Sequence, residues 1–262
     1  MPVIDQVSGF VLSIVGALIG AFVQRKYDHI VERRPLNQIL NFGDDAILFV
    51  FPHRAQIAEA ILPQTSTEDF LAMNNFMSAL LAIGWTNNVG VRDMNRVSSD
   101  DKRKNLVVIC SPKSNTFAQE LQDILKNKNQ PIFEFTPKQG PEWAIDIGVG
   151  QVDSKSFLQE IEYSRQDVPR NQFPEKRFDD LAVVTKVRNP WNEKNKIIWL
   201  AGLRGIGTWA AGECIKKHWQ DIYVKLPSNQ KDCDFTALLD IEYKNSDITK
   251  IVVSQVRVLN QT

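Results

Sequence analysis

Short, continuous apolar runs recur along this chain, and several are followed by a polar loop and then by a segment with helical periodicity. The clearest unit starts with LVVIC at residues 106–110, continues with SPKSN and ends with TFAQELQDILKNK. In the last segment Phe117, Leu121 and Leu125 fall on one helical face. An apolar run of this length is typical of a strand buried on both faces of a sheet. The recurring unit predicts an α/β fold with a mostly parallel sheet and helices on both faces.

The other apolar runs place further strands along the sequence. They lie at residues 46–51, 88–92, 132–135, 143–147, 181–187, 197–201 and 222–225. Ser66 and Asp69 have the spacing of a helix cap, with Thr65 and Glu68 as the alternative pair, and the periodicity after them predicts a helix from about Thr67 to Ile83. A second helix is expected to follow GLRGIGT and to end near Trp219. The chain therefore alternates strands and helices over most of its length.

Two polar stretches and the C-terminal region complete this prediction. The mixed-charge stretch at 98–104 is typical of a solvated turn, and the stretch at 151–178 predicts a loop or a flap over the sheet. The runs at 235–243 and 250–259 predict an antiparallel hairpin at one edge of the sheet. No internal repeat is visible in the sequence, which favours one compact domain.

The first 34 residues differ in character from the rest of the chain. Residues 7–23 read VSGFVLSIVGALIGAFV, a run of 17 uncharged residues, which is at the short end of what crosses a bilayer. Arginine and lysine residues follow this run, and the positive-inside rule places them in the cytoplasm. The sequence predicts a single-pass anchor and juxtamembrane segment at 1–34, with the N-terminus outside the cytoplasmic membrane, and a cytoplasmic domain at 35–262. A buried core helix is the alternative interpretation of the run.

Small residues within the apolar run favour contact between two such helices. Gly16 and Gly20 lie four residues apart, and Gly9, Ser13 and Ala17 form a second row. Small side chains at this spacing let transmembrane helices approach closely. We expect a homo-oligomer formed through Gly16 and Gly20, with the general abundance of small residues in transmembrane helices as the alternative explanation.

The charge and the cysteine and histidine patterns argue against several functions. Lysine plus arginine and aspartate plus glutamate each number 31, so the formal net charge is zero, and direct binding to nucleic acid is not expected. The 3 cysteines include no CxxC pair, and the 3 histidines include no HxH or HExxH pattern. These patterns argue against a disulfide framework and a metal site, and they favour a reducing cytoplasm.

The sharpest local motif is GLRGIGT, which lies between a predicted strand and a predicted helix. Gly202, Gly205 and Gly207 allow a sharp turn, and the start of a helix presents free N–H groups to an anion. Arg204 is suited to pair with a phosphate or a carboxylate, and Thr208 has the position of an N-cap. The motif lacks the Lys-Ser/Thr pair of a Walker A loop and the spacing of GxGxxG. It predicts an anion-binding loop, with a tight turn needed only for packing as the alternative.

A second loop, SPKSN, also joins a predicted strand to a predicted helix. Ser111, Lys113, Ser114 and Asn115 offer hydroxyl, ammonium and amide groups to a ligand. The alternative role of Ser114 or Asn115 is to cap the helix. In doubly wound sheets ligands bind beyond the carboxyl ends of the strands, and both loops are expected at that edge. Two such loops at one edge predict a ligand site more strongly than either alone.

A third candidate segment is RNPWN, which follows another predicted strand. Arg188 and Asn189 offer a guanidinium and an amide beside an aromatic ring, which suit a nucleotide, so we expect them on the same rim. An ordinary turn built by Asn and Pro is the alternative.

For catalysis, the candidate carboxylates are Glu213 and Asp93, which the sequence does not pair with each other. Cys110 has no histidine partner that the sequence identifies.

Two of these strings resemble a pattern in prokaryotic proteins that carry a membrane-anchored Rossmann-like domain. They are VVICSPKSN and RNPWNEKNKIIWLAGLRGIGTWAA, and the resemblance extends from Leu106 to Trp219. The order of elements is also distantly similar to the SLOG and TIR-like domains of nucleotide signalling and antiviral defence. The resemblance implies a Rossmann-like fold and a nucleotide ligand. It implies no enzymatic activity, because no residue matches the catalytic glutamate of TIR-type NAD hydrolases and Ser111 stands where a glycine pair is more usual.

Together, these features predict a membrane-anchored cytoplasmic sensor or effector that binds a nucleotide, a dinucleotide or a related signal in defence or stress signalling. One alternative is a hydrolase or glycosyltransferase-like enzyme that uses the same pocket, with Glu213 or Asp93 as its carboxylate. The other is a membrane-bound scaffold whose domain binds a partner protein and whose glycine loop is purely structural.

Overall fold

The structure, a computed structural model, describes residues 35–43, 45–53, 66–138, 142–148, 150–152, 178–229, 231–244 and 247–259. The strands are β1 (Ile47–Phe51), β2 (Val89–Asp93), β3 (Asn105–Ile109), β4 (Glu134–Pro137), β5 (Trp143–Asp146), β6 (Gln151–Val152), β7 (Phe178–Asn189), β8 (Asn192–Gly202), β9 (Phe235–Lys244) and β10 (Asp247–Val258). The helices are α1 (Thr67–Ala82), α2 (Ser99–Lys102), α3 (Thr116–Asn127), α4 (Gly205–Lys217) and α5 (Trp219–Lys225). Residues 35–40 are also helical.

A seven-stranded sheet with the order β10-β9-β7-β8-β3-β1-β2 forms the centre of the domain. Strands β8, β3, β1 and β2 are parallel neighbours, whereas β7, β9 and β10 alternate in direction. The predicted α/β fold, with a parallel centre and an antiparallel C-terminal hairpin at one edge, is therefore confirmed. Strands β4, β5 and β6 form a separate antiparallel sheet.

Each face of the large sheet has its own apolar core, because successive side chains of a strand point to opposite faces. Val107 and Ile109 of β3 belong to the first core, which α1, α4 and α5 cover. Leu106 and Val108 belong to the second core, which α3 and the small sheet cover. Burial on both faces explains the continuous apolar runs in the sequence. Helices cover both faces, as predicted.

Helices α1 and α4 lie against each other on the first core, and a glycine allows their close approach. A Cβ atom placed on Gly212 of α4 would lie 2.5 Å from the carbonyl oxygen of Ala72 in α1. Such a distance is too short for an ordinary contact of a side chain. The two backbones therefore meet at a position of α4 that has no side chain. Ala210 and Ala211 are fully buried next to this contact.

The strands predicted at 181–187 and 197–201 are present, but they form a hairpin rather than successive strands of a doubly wound sheet. Ala182 of β7 pairs with Gly202 of β8 in an antiparallel register. The turn between β7 and β8 is too short for the crossover of about a dozen residues that parallel strands require. The polar string RNPWN is the end of one strand, the turn and the start of the next.

Two local predictions are wrong. Residues 222–225, predicted as a strand, belong to helix α5, in which Ile222 is fully buried in the first core. A short apolar run fits either a strand or a helical turn, and here the packing decides. The stretch at 98–104, predicted as a solvated turn, contains helix α2, which begins with a capping box formed by Ser98 and Asp101.

The helix predicted from Thr67 to Ile83 is confirmed as α1, with Ile83 as its C-cap. The hydroxyl of Ser66 accepts a hydrogen bond from the N–H of Asp69 at 3.1 Å, as the capping pattern predicts. This N–H is one of the groups that a helix leaves without a partner at its start. The start of α1 is therefore decided by residues within a few positions of it.

The anchor predicted at residues 7–23, with Gly16 and Gly20, lies outside the described residues, and so do residues 153–177 of the predicted flap. Within the described ranges, no helix is both long and apolar enough to span a bilayer. The anchor and the contact through its glycines therefore stay predictions.

Candidate functional site

The strand order places a topological switch point between β1 and β3. The chain leaves β1, forms β2 at the edge of the sheet and returns to form β3 on the other side of β1. After β1 it leads to α1 on the first core, and after β3 it leads to α3 on the second core. The helices that follow β1 and β3 therefore lie on opposite faces of the sheet. In open α/β sheets this arrangement leaves a crevice in which ligands bind. The space beyond Phe51 of β1 and Ile109 of β3 is called the β1–β3 crevice below.

His53 and Asp93 form a hydrogen-bonded pair beside the β1–β3 crevice. His53 lies two residues beyond β1, and Asp93 is the last residue of β2 and pairs with Phe51. His53 Nδ1 lies 2.6 Å from Asp93 Oδ2, and the N–H of Asn95 donates to Asp93 Oδ1 at 2.8 Å. The side chain of Asp93 is 6% exposed, whereas that of His53 is 43% exposed. A buried, fixed carboxylate therefore holds an imidazole that solvent can reach.

Sequence reasoning named Asp93 as an unpaired carboxylate and did not single out His53. The usable signal was that each residue comes at the end of an apolar run, in FVFPH and in VGVRD. Residues that follow adjacent parallel strands meet at one edge of the sheet. What the sequence did not supply was the knowledge that β1 and β2 are adjacent.

Cys110 follows β3 in a backbone conformation that residues with a side chain rarely adopt. Its φ is +84°, in the left-handed region that costs a non-glycine residue about 1–3 kcal/mol. The N–H of Cys110 donates to the carbonyl of Leu200, and its own carbonyl accepts from Trp199 Nε1, both at 2.9 Å. Cys110 packs into the first core together with Ile109, although strict alternation would put it on the other face. The chain thus turns sharply where β3 meets the crevice.

Asn115 is fully buried and caps α3. Its Oδ1 accepts from the N–H groups of Phe117 and Ala118 at 3.0 and 3.2 Å. Its Nδ2 donates to the carbonyl of Ile109 at 2.8 Å. The capping alternative for Asn115 is confirmed, because its amide is engaged in holding the end of β3 to the start of α3.

Ser111, Lys113 and Ser114 differ in what they can offer a ligand. Ser111 is buried, and its carbonyl accepts from the N–H groups of Ser114 and Asn115, both at 3.0 Å. Lys113 and Ser114 are exposed. An ammonium and a hydroxyl next to the β1–β3 crevice suit an anionic ligand. Contact with a ligand stays a prediction for all three residues.

A carboxylate of the chain itself lies at the start of α4, where the sequence predicts an anionic ligand. The N–H of Gly207 donates to Asp180 Oδ2, and the N–H of Leu181 donates to Asp180 Oδ1, both at 2.8 Å. Arg204 Nε lies 3.6 Å from Asp180 Oδ1, and the Arg204 guanidinium also donates to the carbonyl of Asp179. Asp180 is almost completely buried. An internal anion thus occupies the position that the helix start and the arginine offered to a phosphate.

The other residues of GLRGIGT have packing roles. A Cβ atom on Gly202 would lie 2.4 Å from the carbonyl carbon of Gly207, so the end of β8 touches the start of α4. The N-cap of α4 is Arg204, and the prediction that Thr208 is the N-cap is wrong. Thr208 lies inside the helix, and its hydroxyl accepts from the N–H of Gly202 at 3.1 Å. Ligand contact at Gly202, Arg204, Gly205, Gly207 and Thr208 stays a prediction.

Arg188 and Asn189 lie at the opposite edge of the sheet, so the prediction that they share one rim with the two loops is wrong. Asn189 pairs with Asn192 at the start of β8, whereas the predicted loop follows the end of β8. Asn189 Nδ2 donates to the carbonyls of Lys102 and Lys104 at 2.6 and 2.7 Å. The alternative of an ordinary turn fits these contacts, since they hold the β7–β8 turn to the chain before β3.

Glu213 lies on α4 away from both loops. Its carboxylate accepts from Asn75 Nδ2 at 3.1 Å and from Lys217 Nζ at 2.6 Å. Asn75 belongs to α1, so Glu213 takes part in the contact between the two helices. Of the two carboxylates considered for catalysis, Asp93 is the one that the structure places at the carboxyl ends of the parallel strands.

Within the described ranges, no group of three or more His, Cys, Asp or Glu side chains is arranged to hold a metal ion. No protein-family model matches the chain, and no curated protein matches it either. What the site binds therefore has to follow from its own geometry.

Proposed function

We propose that this chain is a membrane-anchored domain that binds a nucleotide or a related phosphate-containing signal in the β1–β3 crevice. The observation that carries the proposal is the switch point, because helices that follow neighbouring parallel strands on opposite faces leave a binding site at the carboxyl ends of those strands. His53, Lys113 and Ser114 are exposed around it. Of these, the ammonium of Lys113 and the hydroxyl of Ser114 can donate hydrogen bonds to phosphate oxygens.

In this proposal side chains, rather than the N–H groups at a helix start, bind the phosphate of the ligand. Asn115 caps α3, and Asp180 lies at the start of α4, so the chain itself satisfies N–H groups at both helix starts. A ligand phosphate therefore depends on Lys113 more than on the backbone. Lys113, rather than Arg204, is therefore the residue whose loss weakens binding most.

The anchor at residues 7–23 holds the domain at the cytoplasmic face of the membrane in this proposal, and Gly16 and Gly20 bring two copies together. Ligand binding then acts on an assembly at the membrane, as a sensor or effector of defence or stress signalling does. Alkaline extraction of membranes that contain the full chain tests the anchor. Retention in the membrane pellet is the expected result, and release into the supernatant contradicts the anchor.

A thermal-shift screen of the full chain in detergent tests the ligand. The candidates are NAD, ATP, GTP, ADP-ribose and cyclic di- and trinucleotides. A ligand present at about 100 times its Kd should stabilise the folded chain by roughly 2.7 kcal/mol. Lys113→Ala should abolish or weaken the shift, whereas Arg188→Ala, at the opposite edge of the sheet, is the matched control and should keep it.

The scaffold alternative makes the opposite prediction for this screen. A folded chain that responds to no nucleotide, together with a protein partner whose binding survives Lys113→Ala, would favour the scaffold. A thermal shift that Arg188→Ala removes and Lys113→Ala keeps would show that the ligand binds at the other edge of the sheet.

A further inference from the structure

We propose that His53 and Asp93 are an acid–base pair, and that the β1–β3 crevice hydrolyses a phosphodiester bond of its ligand. The inference rests on the proposed function, because the bond that breaks belongs to the bound nucleotide. It gives a chemical role to a feature that ligand binding alone does not require, namely a buried carboxylate that orients an exposed imidazole.

The hydrogen bond between the two side chains sets the protonation pattern of the imidazole. The carboxylate is the acceptor in the contact of 2.6 Å, so Nδ1 of a neutral His53 carries the proton and Nε2 has the lone pair. The N–H of Asn95 holds the second oxygen of Asp93, which keeps the carboxylate from rotating away. A fixed tautomer and an accessible second nitrogen are what a general base requires.

A second histidine–aspartate pair in the described residues lacks these features. His218 Nδ1 lies 3.8 Å from Asp221 Oδ2, which is beyond hydrogen-bond distance, and the side chain of Asp221 is 55% exposed. This pair lies where α4 ends and α5 begins, at the far end of α4 from Gly205. Both pairs consist of a histidine and an aspartate. The pair at the crevice differs from the other pair in its hydrogen bond, in the burial of its carboxylate and in its position.

In the proposed reaction, His53 Nε2 takes a proton from a water molecule while the water oxygen attacks the phosphorus atom. The new bond from oxygen to phosphorus forms as the bond from phosphorus to the leaving ribose oxygen breaks. The leaving oxygen, on the opposite side of phosphorus, takes a proton from a second water molecule, and the imidazolium returns its proton to the hydroxide that this leaves. The products are a phosphomonoester and an alcohol, and water is the co-reactant. The carboxylate of Asp93 stabilises the imidazolium while it carries the extra proton.

Electrostatics favours a diester over a terminal phosphate as the substrate. A diester has one negative charge per phosphate, whereas a phosphomonoester carries about 1.5–2 negative charges near neutral pH. The carboxylate of Asp93 lies one imidazole ring away from the attacking water and repels the additional charge. Cyclic dinucleotides, in which each phosphate is a diester, are the nucleotide class that fits.

The test uses the purified full chain in detergent with cyclic di-AMP and cyclic di-GMP as probes. Thermal unfolding reports binding, and chromatography of the linear product reports hydrolysis. We expect His53→Gln to keep the thermal shift and to lower the hydrolysis rate by about 100-fold or more, which is what a general base contributes. His218→Gln, at the exposed second pair, is the matched control and should keep the wild-type rate.

Asp93→Asn tests Asp93 as a positioning residue. The asparagine amide can donate to Nδ1 and so favour the tautomer that has no lone pair on Nε2. We expect kcat to fall by roughly 100-fold or more while KM stays near the wild-type value. A purely structural role would instead lower the unfolding temperature and change both constants.

The outcomes separate this inference from the function on which it rests. Hydrolysis that survives His53→Gln overturns the inference. A thermal shift with either dinucleotide and no linear product also overturns it, and leaves nucleotide binding in place. Neither shift nor product from folded protein overturns both the inference and the binding of this ligand class.

Discussion

The two ends of the parallel strands are built differently. At the end where β1, β3 and β8 begin, the amino edge, the buried side chains of Asn105, Lys186 and Asn189 donate to backbone carbonyls that are distant in sequence. At the end where these strands stop, the carboxyl edge, the buried Asp180 also joins distant parts of the chain, but the strained Cys110 and the exposed imidazole of His53 lie there as well. The contrast indicates that the amino edge holds the fold together, whereas the carboxyl edge retains strain and exposure of the kind found at functional sites.

Lys186 of β7 lies at the amino edge and joins several of its elements through hydrogen bonds. Its side chain is fully buried, and Nζ donates to Asp232 Oδ1 at 2.8 Å and to the carbonyl of Gln38 at 2.9 Å. Asp232 also accepts from Asn41 Nδ2 at 2.7 Å and from Lys196 Nζ at 3.1 Å. These contacts tie the N-terminal helical segment to β7 and β8.

Ionisation at the amino edge reflects both burial and pairing. Burial lowers the pKa of Lys186 below its ordinary value, the charge of Lys196 acts in the same direction, and Asp232 opposes both. For Asp232, burial raises the pKa, but the hydrogen bonds and charges of Lys186 and Lys196 outweigh burial and hold the pKa below its ordinary value. The buried lysine therefore depends on its carboxylate partner.

The largest effect is expected from removing that partner. Asp232→Asn leaves the buried ammonium of Lys186 without the carboxylate that it contacts, and should lower the free energy of unfolding by about 3 kcal/mol, at the low end for a broken buried pair because Asp232 is half exposed. Adding Lys186→Met should recover most of the loss, since an apolar chain then fills the buried site. Urea unfolding measures both. A loss of only about 0.5 kcal/mol, as for an ordinary surface substitution, would contradict the role of the amino edge.

Acid should weaken the same interaction. Because the pKa of Asp232 is lower in the folded chain than in the unfolded one, its contribution to stability is fully present above about pH 4 and is lost as the pH falls through the lowered value. The difference in unfolding free energy between the wild type and Asp232→Asn should therefore stay constant from about pH 7 to 5 and shrink below about pH 4. An equal difference at neutral and at strongly acid pH would speak against this ion pair.

At the carboxyl edge, the start of α4 should be sensitive to added volume. A Cβ atom on Gly207 would lie 2.7 Å from Asp180 Oδ2 and 2.8 Å from the carbonyl oxygen of Leu181, so Gly207→Ala should destabilise the fold by about 2 kcal/mol. Gly205→Ala is the matched control, because its Cβ would meet the flexible side chain of Glu68 at 3.2 Å. That variant should change stability by less than about 1 kcal/mol, since the higher helix propensity of alanine offsets the tight contact. Equal losses in thermal unfolding would show that Asp180 does not constrain this loop.

The cap of α3 should have a smaller effect. Asn115→Ala removes two hydrogen bonds to the helix start and one to the end of β3, and should lower stability by about 1–2 kcal/mol. Ser114→Ala, one position earlier and exposed, should stay within about 0.5 kcal/mol of the wild type. Chemical denaturation of both variants decides the matter, and the reverse order of losses would assign the cap to Ser114.

The smallest effect concerns the strain at Cys110. Alanine normally stabilises a chain relative to glycine, but at a φ of +84° a Cβ atom is itself the source of strain. We expect Cys110→Gly to be at least as stable as Cys110→Ala, with a difference of less than about 1 kcal/mol. Cys214 is fully buried inside α4 and is the control, because there glycine should be less stable than alanine. The same order at both positions would mean that the turn after β3 stores no strain.

Local patterns in the sequence were enough to predict most of the elements. The apolar run of β3, the cap of α1 at Ser66 and the hairpin of β9 and β10 all follow from residues that are close along the chain. Asn115 at the start of α3 belongs to the same group, since a cap reaches only two or three residues ahead. Periodicity and capping act over a few residues, and a single sequence therefore reveals them.

The pairing of the strands, and with it the candidate site, came only from the tertiary structure. His53 meets Asp93 across 40 positions of sequence because β1 and β2 are adjacent, and Asp180 reaches Gly207 across 27 positions because β7 lies beside β8. The same pairing of β7 with β8 moves Arg188 to the opposite edge of the sheet. Which strands become neighbours depends on how all the apolar faces are buried together, and no short stretch of sequence contains that information.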